Sequence, residues 1–288
     1  MAVQLNLTRR QFLACGSGTL IAGSLPANAS YPFRLGLTPV FLDNDAVVID
    51  ALRTGLQAAL GVPVDLQQRR TYKEVTQMLL EGALDAAWLC GYPYLQHKDV
   101  LEIVAVPVWQ GRPLYRSYLI VSAEDEATSL RDLEGDVHAF SDPDSNSGFL
   151  VTASDLARMG RRPEDFFRRT IFTYGHRNVV RAVSSGLVRS GSVDGYVWEV
   201  LADREPEMTR RTKVIVRSEW LGFPPICARG DRAQDADLVA FRQAILGFDT
   251  SPEGRAALDL LQLDGMTAAG PELFDGIERH MREYAELR

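Results

Sequence analysis

Cysteine and histidine are scarce in this chain. Three cysteines in 288 residues exclude a disulfide-dense scaffold. The four histidines, His97, His138, His176 and His280, are scattered without metal-ligand spacing. Long apolar runs are missing too: the longest, residues 14–25, is short and broken by glycine, against the ~20 residues that a membrane-spanning helix needs. Positive charge is in the minority, with 31 basic against 38 acidic residues and a net charge of −7. An acidic chain with no basic stripe is not a general nucleic-acid binder, whose affinity comes largely from Lys and Arg on phosphate. No G-x-x-x-x-G-K-[ST], no G-x-G-x-x-G opening a helix and no G-x-S-x-G elbow occurs. The expectation is therefore a protein with no catalytic residue, no metal site and no cofactor. What remains is the composition of an ordinary globular protein, 46% hydrophobic and 24% charged.

The first residues read as an address. Thr8-Arg9-Arg10-Gln11-Phe12-Leu13 precedes the modestly apolar stretch 14–25, and Ala27-x-Ala29 supplies a small-residue cleavage site. The paired arginines followed by Phe-Leu resemble a twin-arginine export signal, which predicts a periplasmic protein starting at Ser30. Loss of residues 1–29, which hold Arg9 and Arg10 and no acid, takes the net charge from −7 to −9. Cys15 leaves with them. Cys90 and Cys227 remain, and an oxidising compartment leaves open whether they pair.

The mature chain alternates strand-like and helix-like pieces. Residues 33–40 read as a strand, with Asp43-Asn44-Asp45 as N-cap candidates for a helix carrying Val48, Leu52, Leu56 and Leu60 on one face. Residues 64–66 form a second strand, and Thr71-Tyr72-Lys73-Glu74 has the spacing of a capping box. The run 86–90, Ala-Ala-Trp-Leu-Cys, reads as a buried strand ending at Gly91. Extended runs at 101–108 and 115–121 follow. Strands are then expected at 137–140, 170–174, 192–197 and 214–216, with helices at 149–159 and 176–186. The C-terminal third is helical, with Pro252 and Pro271 at first helical positions. This is a parallel α/β order. Two α/β lobes explain it best, residues 30–114 with 219–288 and residues 115–218, joined by two crossovers.

In open α/β sheets ligands sit beyond the carboxyl ends of strands. The loop Ser141-Asp142-Pro143-Asp144-Ser145-Asn146-Ser147-Gly148 lies between a strand and a helix start. Its side chains offer donors, and the amides of Ser147, Gly148 and Phe149 are expected free to face an anion. Plain N-capping by Ser145 or Ser147 explains the same residues. Trp88-Leu89-Cys90-Gly91-Tyr92-Pro93-Tyr94 fits either an amphipathic pocket wall or an aromatic core plug with an inert thiol. Asp194 either caps the next helix or sits beside the anion, where a carboxylate admits only ligands with a proton or cation to donate.

On these residues the chain resembles the phosphonate/phosphite-type substrate-binding proteins of ATP-driven uptake systems. The resemblance runs through Thr38-Pro39, Ala87-Trp88, Asp142-Pro143-x-Ser145-x-Ser147-Gly148, Gly175-His176, Ala182-Val183-x-Ser185-Gly186 and Val193-Asp194-Gly195. The family's anion loop reads Ser-Thr-Ser-Gly, and here the hydroxyl pair is kept while Asn146 stands between. The resemblance implies a type II periplasmic-binding fold, two α/β lobes closing on ligand. It implies a ligand-binding set of Thr38, Tyr72, Cys90, Tyr92, Ser145, Asn146, Ser147, Gly148, His176, Asp194 and Tyr196. The implied partners are a small oxyanion (phosphonate, phosphite or phosphate) and an ABC permease, with the chain acting as a monomer. Cys90 departs from the usual pattern. There the chain is similar to the arsenite-sensing branch of the same fold, which uses a cleft cysteine and a membrane histidine kinase, and this is the alternative.

Overall fold

The computed structural model describes residues 31–39 and 46–287. The export signal with its cleavage site, Val40 and the 43–45 cap lie outside the described residues. Four strands open the chain: β1 (Phe33–Leu37), β2 (Val64–Gln68), β3 (Ala86–Trp88) and β4 (Leu101–Val108). Next come β5 (Leu114–Tyr115), β6 (Ser117–Ser122), β7 (Val137–Phe140), β8 (Arg169–Phe172), β9 (Ser190–Asp194) and β10 (Thr212–Arg217). The last are β11 (Leu221–Gly222), β12 (Ile226–Arg229) and β13 (Gly265–Thr267).

They build two main sheets. One runs β13-β4-β12-β3-β1-β2, the other β10-β6-β9-β7-β8. In the first, β1 pairs in parallel with β2 and β3, as helix-linked β-α-β units must. The helices Ala46–Leu60 and Tyr72–Leu80 make those links and send Val48, Leu52, Leu56, Val75 and Leu79 into the core. The chain passes between the sheets twice, and the two passages, β5 and β11, pair antiparallel with each other. This two-lobed α/β architecture is the expected fold class. The helix Asp275–Ala285 packs on the helix Val151–Ala157, where Ser154 Oγ lies 2.9 Å from His280 Nδ1.

Several element ends differ from the sequence reading. The strand expected at 192–197 spans 190–194, because Asp194 accepts the Val197 amide at 3.3 Å and starts a helix at Gly195. The 86–90 strand stops at Trp88, and Cys90 is the N-cap of the short helix Gly91–Gln96. The helix expected at 149–159 begins as a π-turn at Asn146–Leu150 and continues as Val151–Ala157. At Asp194 and at Ser145 a polar side chain caps the following turn before the apolar run ends. Cys90 and Cys227 are both buried free thiols.

Candidate functional site

The loops after β3, β7 and β9 meet the start of the helix Tyr72–Leu80. Thr71 and Glu74 form the expected capping box there, Glu74 N–H donating to Thr71 Oγ1 at 3.2 Å and Thr71 N–H to Glu74 Oε2 at 3.0 Å. That cap presents the amide of Tyr72 to Asp142 Oδ2, 3.2 Å away in the other lobe. Three further bonds cross the cleft or line it. Tyr72 Oη lies 3.2 Å from His176 Nε2, the Asn146 amide donates to Cys90 Sγ at 3.3 Å, and Asn146 Nδ2 donates to Tyr115 Oη at 2.8 Å. Tyr72, Cys90, Tyr115, Ser145, Asn146, Ser147, His176 and Asp194 are all buried.

Proton positions follow from this network. His176 Nδ1 accepts the Asp194 amide at 3.1 Å, and burial holds the ring's pKa down to about 3. A neutral imidazole that accepts at Nδ1 carries its hydrogen on Nε2 and donates it to Tyr72 Oη. The Tyr72 hydroxyl hydrogen is thereby left to donate elsewhere. Tyr115 Oη is buried too, and it takes the Asn146 side-chain amide and lies within hydrogen-bond reach of the Ser147 hydroxyl. Burial raises both tyrosines well above the ordinary phenol range, so both stay protonated. The same two hydroxyls lie within electrostatic reach of Cys90 and Asp194, which places the four groups around one spot.

Asp194 is fully buried, and burial lifts its carboxyl from 3.8 to about 7 against the opposing bonds from the Val197 and Tyr196 amides and the Ser147 hydroxyl. Cys90 is pushed up to about 12, first by burial and also by the charges of Asp194 and Asp142, although the Asn146 and Tyr92 amides donate to it. It is a neutral thiol. Asp142 is raised by burial, with the amides of Asp144 and Tyr72 opposing. The site is thus lined by hydroxyls, amides and a carboxyl that titrates near neutrality, and no lysine or arginine ranks among the groups that shift Tyr72, Tyr115, Cys90 or Asp194. Two buried polar atoms, Asn146 Oδ1 and Ser141 Oγ, have no hydrogen-bond partner. Among the described residues, no cluster of three or more His, Cys, Asp or Glu is arranged to hold a metal ion.

The expected site residues do not all serve alike. Ser145 is a cap: its Oγ accepts the Gly148 amide at 3.0 Å, so that amide is not free for an anion as expected. Ser147 sets its hydroxyl beside both Asp194 and Tyr115, and its carbonyl accepts from Ser117 Oγ at 2.6 Å. Gly148 permits a close approach, since a Cβ there would fall 1.8 Å from Ser141 Oγ. Thr38 Oγ1 donates to the Trp88 carbonyl at 2.9 Å and holds the two strand exits together. Tyr92 contributes its amide to Cys90. Tyr196 is placed elsewhere, its hydroxyl donating 2.6 Å to the Leu261 carbonyl and its ring packing on Trp109 and Phe223. Tyr115 and Ser141 were missed. Tyr115 reads as one more apolar residue in an extended run, and only its position at a crossover between lobes, beside Asn146, brings it to the site.

Two lobes around a buried polar cluster define a periplasmic-binding-type protein. A family model for periplasmic phosphonate-binding components of ABC transporters matches residues 35–274, and the chain belongs to that family. Solved structures agree on the fold. A binding-protein component of an ABC phosphonate transporter from Pseudomonas aeruginosa is 22% identical, covers 89% of this chain and 87% of its own, and superposes with a TM-score of 0.82. PhnD1 from Prochlorococcus marinus, solved in complex with methylphosphonate, is 18% identical over 88% of this chain and 98% of its own, with a TM-score of 0.77. The alkanesulfonate-binding protein SsuA from Xanthomonas axonopodis pv. citri is similar at 14% identity, 91% and 95% coverage and a TM-score of 0.61. The family is one of transport, and nothing in the match favours the kinase-coupled sensor.

Proposed function

We propose that this chain captures a small phosphonate-type oxyanion in the periplasm and delivers it to an ABC permease. The observation that carries this reading is the buried Tyr72 hydroxyl, whose oxygen already accepts from His176 and whose hydrogen is left to donate, with the Tyr115 hydroxyl buried in the same cluster. Asp194, near neutrality at about 7, supplies a further proton when it is in the carboxylic acid form. Neutral donors of this kind suit an oxyanion taken out of water, which demands hydrogen bonds for each oxygen it buries. The methylphosphonate in a structural relative supports this class of ligand. The ligand-contacting set in this reading is Tyr72, Tyr115, Ser141, Asn146 and Asp194, with His176 orienting the Tyr72 hydroxyl, Cys90 as wall and Ser145 and Ser147 as supports.

Residues 30–114 with 219–288 and residues 115–218 move in this reading as two bodies that close on the ligand, and the chain works as a monomer. Export uses Arg9 and Arg10, so Arg9→Lys with Arg10→Lys leaves precursor in the cytoplasm; normal periplasmic yield from that variant would remove the twin-arginine route. The ligand is tested by calorimetry with methylphosphonate, phosphite, phosphate and arsenite. Each hydrogen bond to a charged group is worth about 1.5–3 kcal/mol. Tyr72→Phe with Tyr115→Phe should therefore weaken oxyanion binding by about 10²–10⁴. An unchanged Kd in that variant would remove both hydroxyls from the site.

A further inference from the structure

A cavity of about 670 Å³ opens at the mouth of the cleft. Its lining includes Arg69 and Arg70 from one lobe and Arg177 and Arg181 from the other, with Glu74 as its single carboxylate. Such a gathering is unexpected in a chain whose acids outnumber its bases. Many other arginines sit on acids, among them Arg34 and Arg232 on Asp85, Arg158 on Asp155 and Glu283, and Arg189 on Asp125 and Asp136, while Arg112, Arg116 and Arg217 lie over aromatic rings. At the mouth only Arg177 has such a partner, Glu205 at 2.7 Å. Arg69 donates to the Gln68 carbonyl and Gln67 Oε1, and Arg181 to Asn178 Oδ1, all neutral acceptors. Among the described residues no carboxylate lies within ion-pair distance of Arg69, Arg70 or Arg181. Glu74 bonds to Thr71, whose hydroxyl and amide are the first causes that hold it below the usual carboxylate range, with the Arg70 amide and charge adding to them.

We propose that this cavity is a second anion site that holds a multivalent oxyanion of the phosphate class between the two lobes. Arg69, Arg70 and Arg181, with no carboxylate paired to them, gather positive charge around one space, and an anion among them turns their repulsion into attraction from both sides. Guanidinium forks match phosphate oxygens two at a time, which is why the arginine side chain suits this ligand. The volume is in the range of small-ligand pockets and favours an oligophosphate over a single oxyanion. The placement couples it to the inner site, because Arg70 lies two residues before Tyr72 and Arg177 directly follows His176. The anion is either a separate ion or the distal end of a ligand whose other end reaches the inner site. This assignment does not depend on the phosphonate reading.

Inorganic pyrophosphate is the probe, titrated by calorimetry at constant ionic strength of about 0.15 M, where charges screen over about 8 Å. The wild type should bind it, and Arg70→Gln with Arg181→Gln should weaken that binding at least tenfold while methylphosphonate affinity changes less than threefold. Both residues are exposed, and matched melting temperatures confirm the fold. Pyrophosphate that binds on top of saturating methylphosphonate identifies a separate ion, and displacement of methylphosphonate identifies one ligand spanning both sites. Absence of pyrophosphate binding in the wild type, or equal affinity in the arginine variant, overturns the proposal. Loss of pyrophosphate binding in Tyr72→Phe with Tyr115→Phe, with no change in the arginine variant, places the anion in the inner site alone and overturns it as well. Failure of methylphosphonate binding by itself would sink only the phosphonate reading.

Discussion

Asp85 and Asp194 are both buried carboxyls in strand-end positions of this chain, and their surroundings drive them in opposite directions. Burial alone would raise Asp85, but it accepts from the Arg34 side chain and amide, each at 2.8 Å, and from Arg232 at 2.7 Å, and these outweigh burial and hold it below its ordinary value. Asp194 is buried with two amides and a serine hydroxyl and no cation, and it rises to about 7. The difference separates two uses of one side chain. Asp85 is a permanent anion that fastens β1 to the 232–237 loop region. Asp194 holds an unpaid desolvation cost at the centre of a cleft, which is the arrangement of groups that act on a ligand more than on the fold.

The largest effect expected from this comparison is a gain of stability in Asp194→Asn. Its folded-state pKa stands above the unfolded one, so below about pH 4 the carboxyl is neutral in both states and costs nothing. Between about pH 4 and 7 the unfolded chain ionises while the folded one does not, and stability is lost progressively. Above about pH 7 the loss is complete, and a rise from 3.8 to about 7 corresponds to about 4 kcal/mol at most. Asparagine keeps the cap to Val197 and can accept from Ser147. Denaturant unfolding of the ligand-free protein should therefore show the variant well ahead of wild type at pH 8, with the gap narrowing toward pH 5. A variant that is destabilised equally at both values would mean that the charge is not what burial penalises.

Asp85→Asn should act in the other direction and by less. Removing one member of a buried ion pair costs about 3–5 kcal/mol, but Arg34 and Arg232 are partly solvated, which screens the pair and brings the expected loss to about 1–3 kcal/mol. Because its folded pKa is lowered, this stabilisation is present above the unfolded value and disappears as pH falls through the folded one. Wild type and variant should converge below about pH 4. A constant gap across the whole range would assign the loss to packing and leave the comparison with Asp194 without its electrostatic basis.

The lobed α/β order was legible because apolar spacing is local: Val48, Leu52, Leu56 and Leu60 declare their helix face wherever the chain goes. The strand exits were only half legible. Val193, Tyr196 and Val197 look like one strand, yet the Asp194 cap turns the chain at Gly195. In the site loop the local cap was legible, since Ser145 accepts the Gly148 amide three residues on, whereas the neighbours of Ser147 and Asn146 are decided at long range. Asp194, beside the Ser147 hydroxyl, is far along the sequence, and Tyr115 joins the cluster only through Asn146. The arginine-lined mouth was invisible for the same reason. Arg69-Arg70 and Arg177 with Arg181 are two small, separated groups in the sequence, and only the approach of the β2 and β8 exits makes them one field.

Cys90 gives the smallest effect and the sharpest limit on the comparison. If the cleft were built around a thiolate, Asp194 would face a second negative charge, and its carboxyl would add to a site already short of cations. The structure instead keeps Cys90 neutral, pushed up to about 12, with Sγ accepting the Asn146 and Tyr92 amides. A serine oxygen accepts the same two bonds in nearly the same place. Cys90→Ser should therefore change methylphosphonate affinity less than tenfold, below about 1.4 kcal/mol. Arsenite makes the opposite demand, because it is a soft acceptor that serine cannot satisfy. Titration of both forms under reducing conditions decides the matter, with Cys227 buried in β12 as a constant background. Tight arsenite binding by the wild type, abolished in Cys90→Ser, would turn the cleft into a sulfur site and make Asp194 a counter-charge to be explained anew.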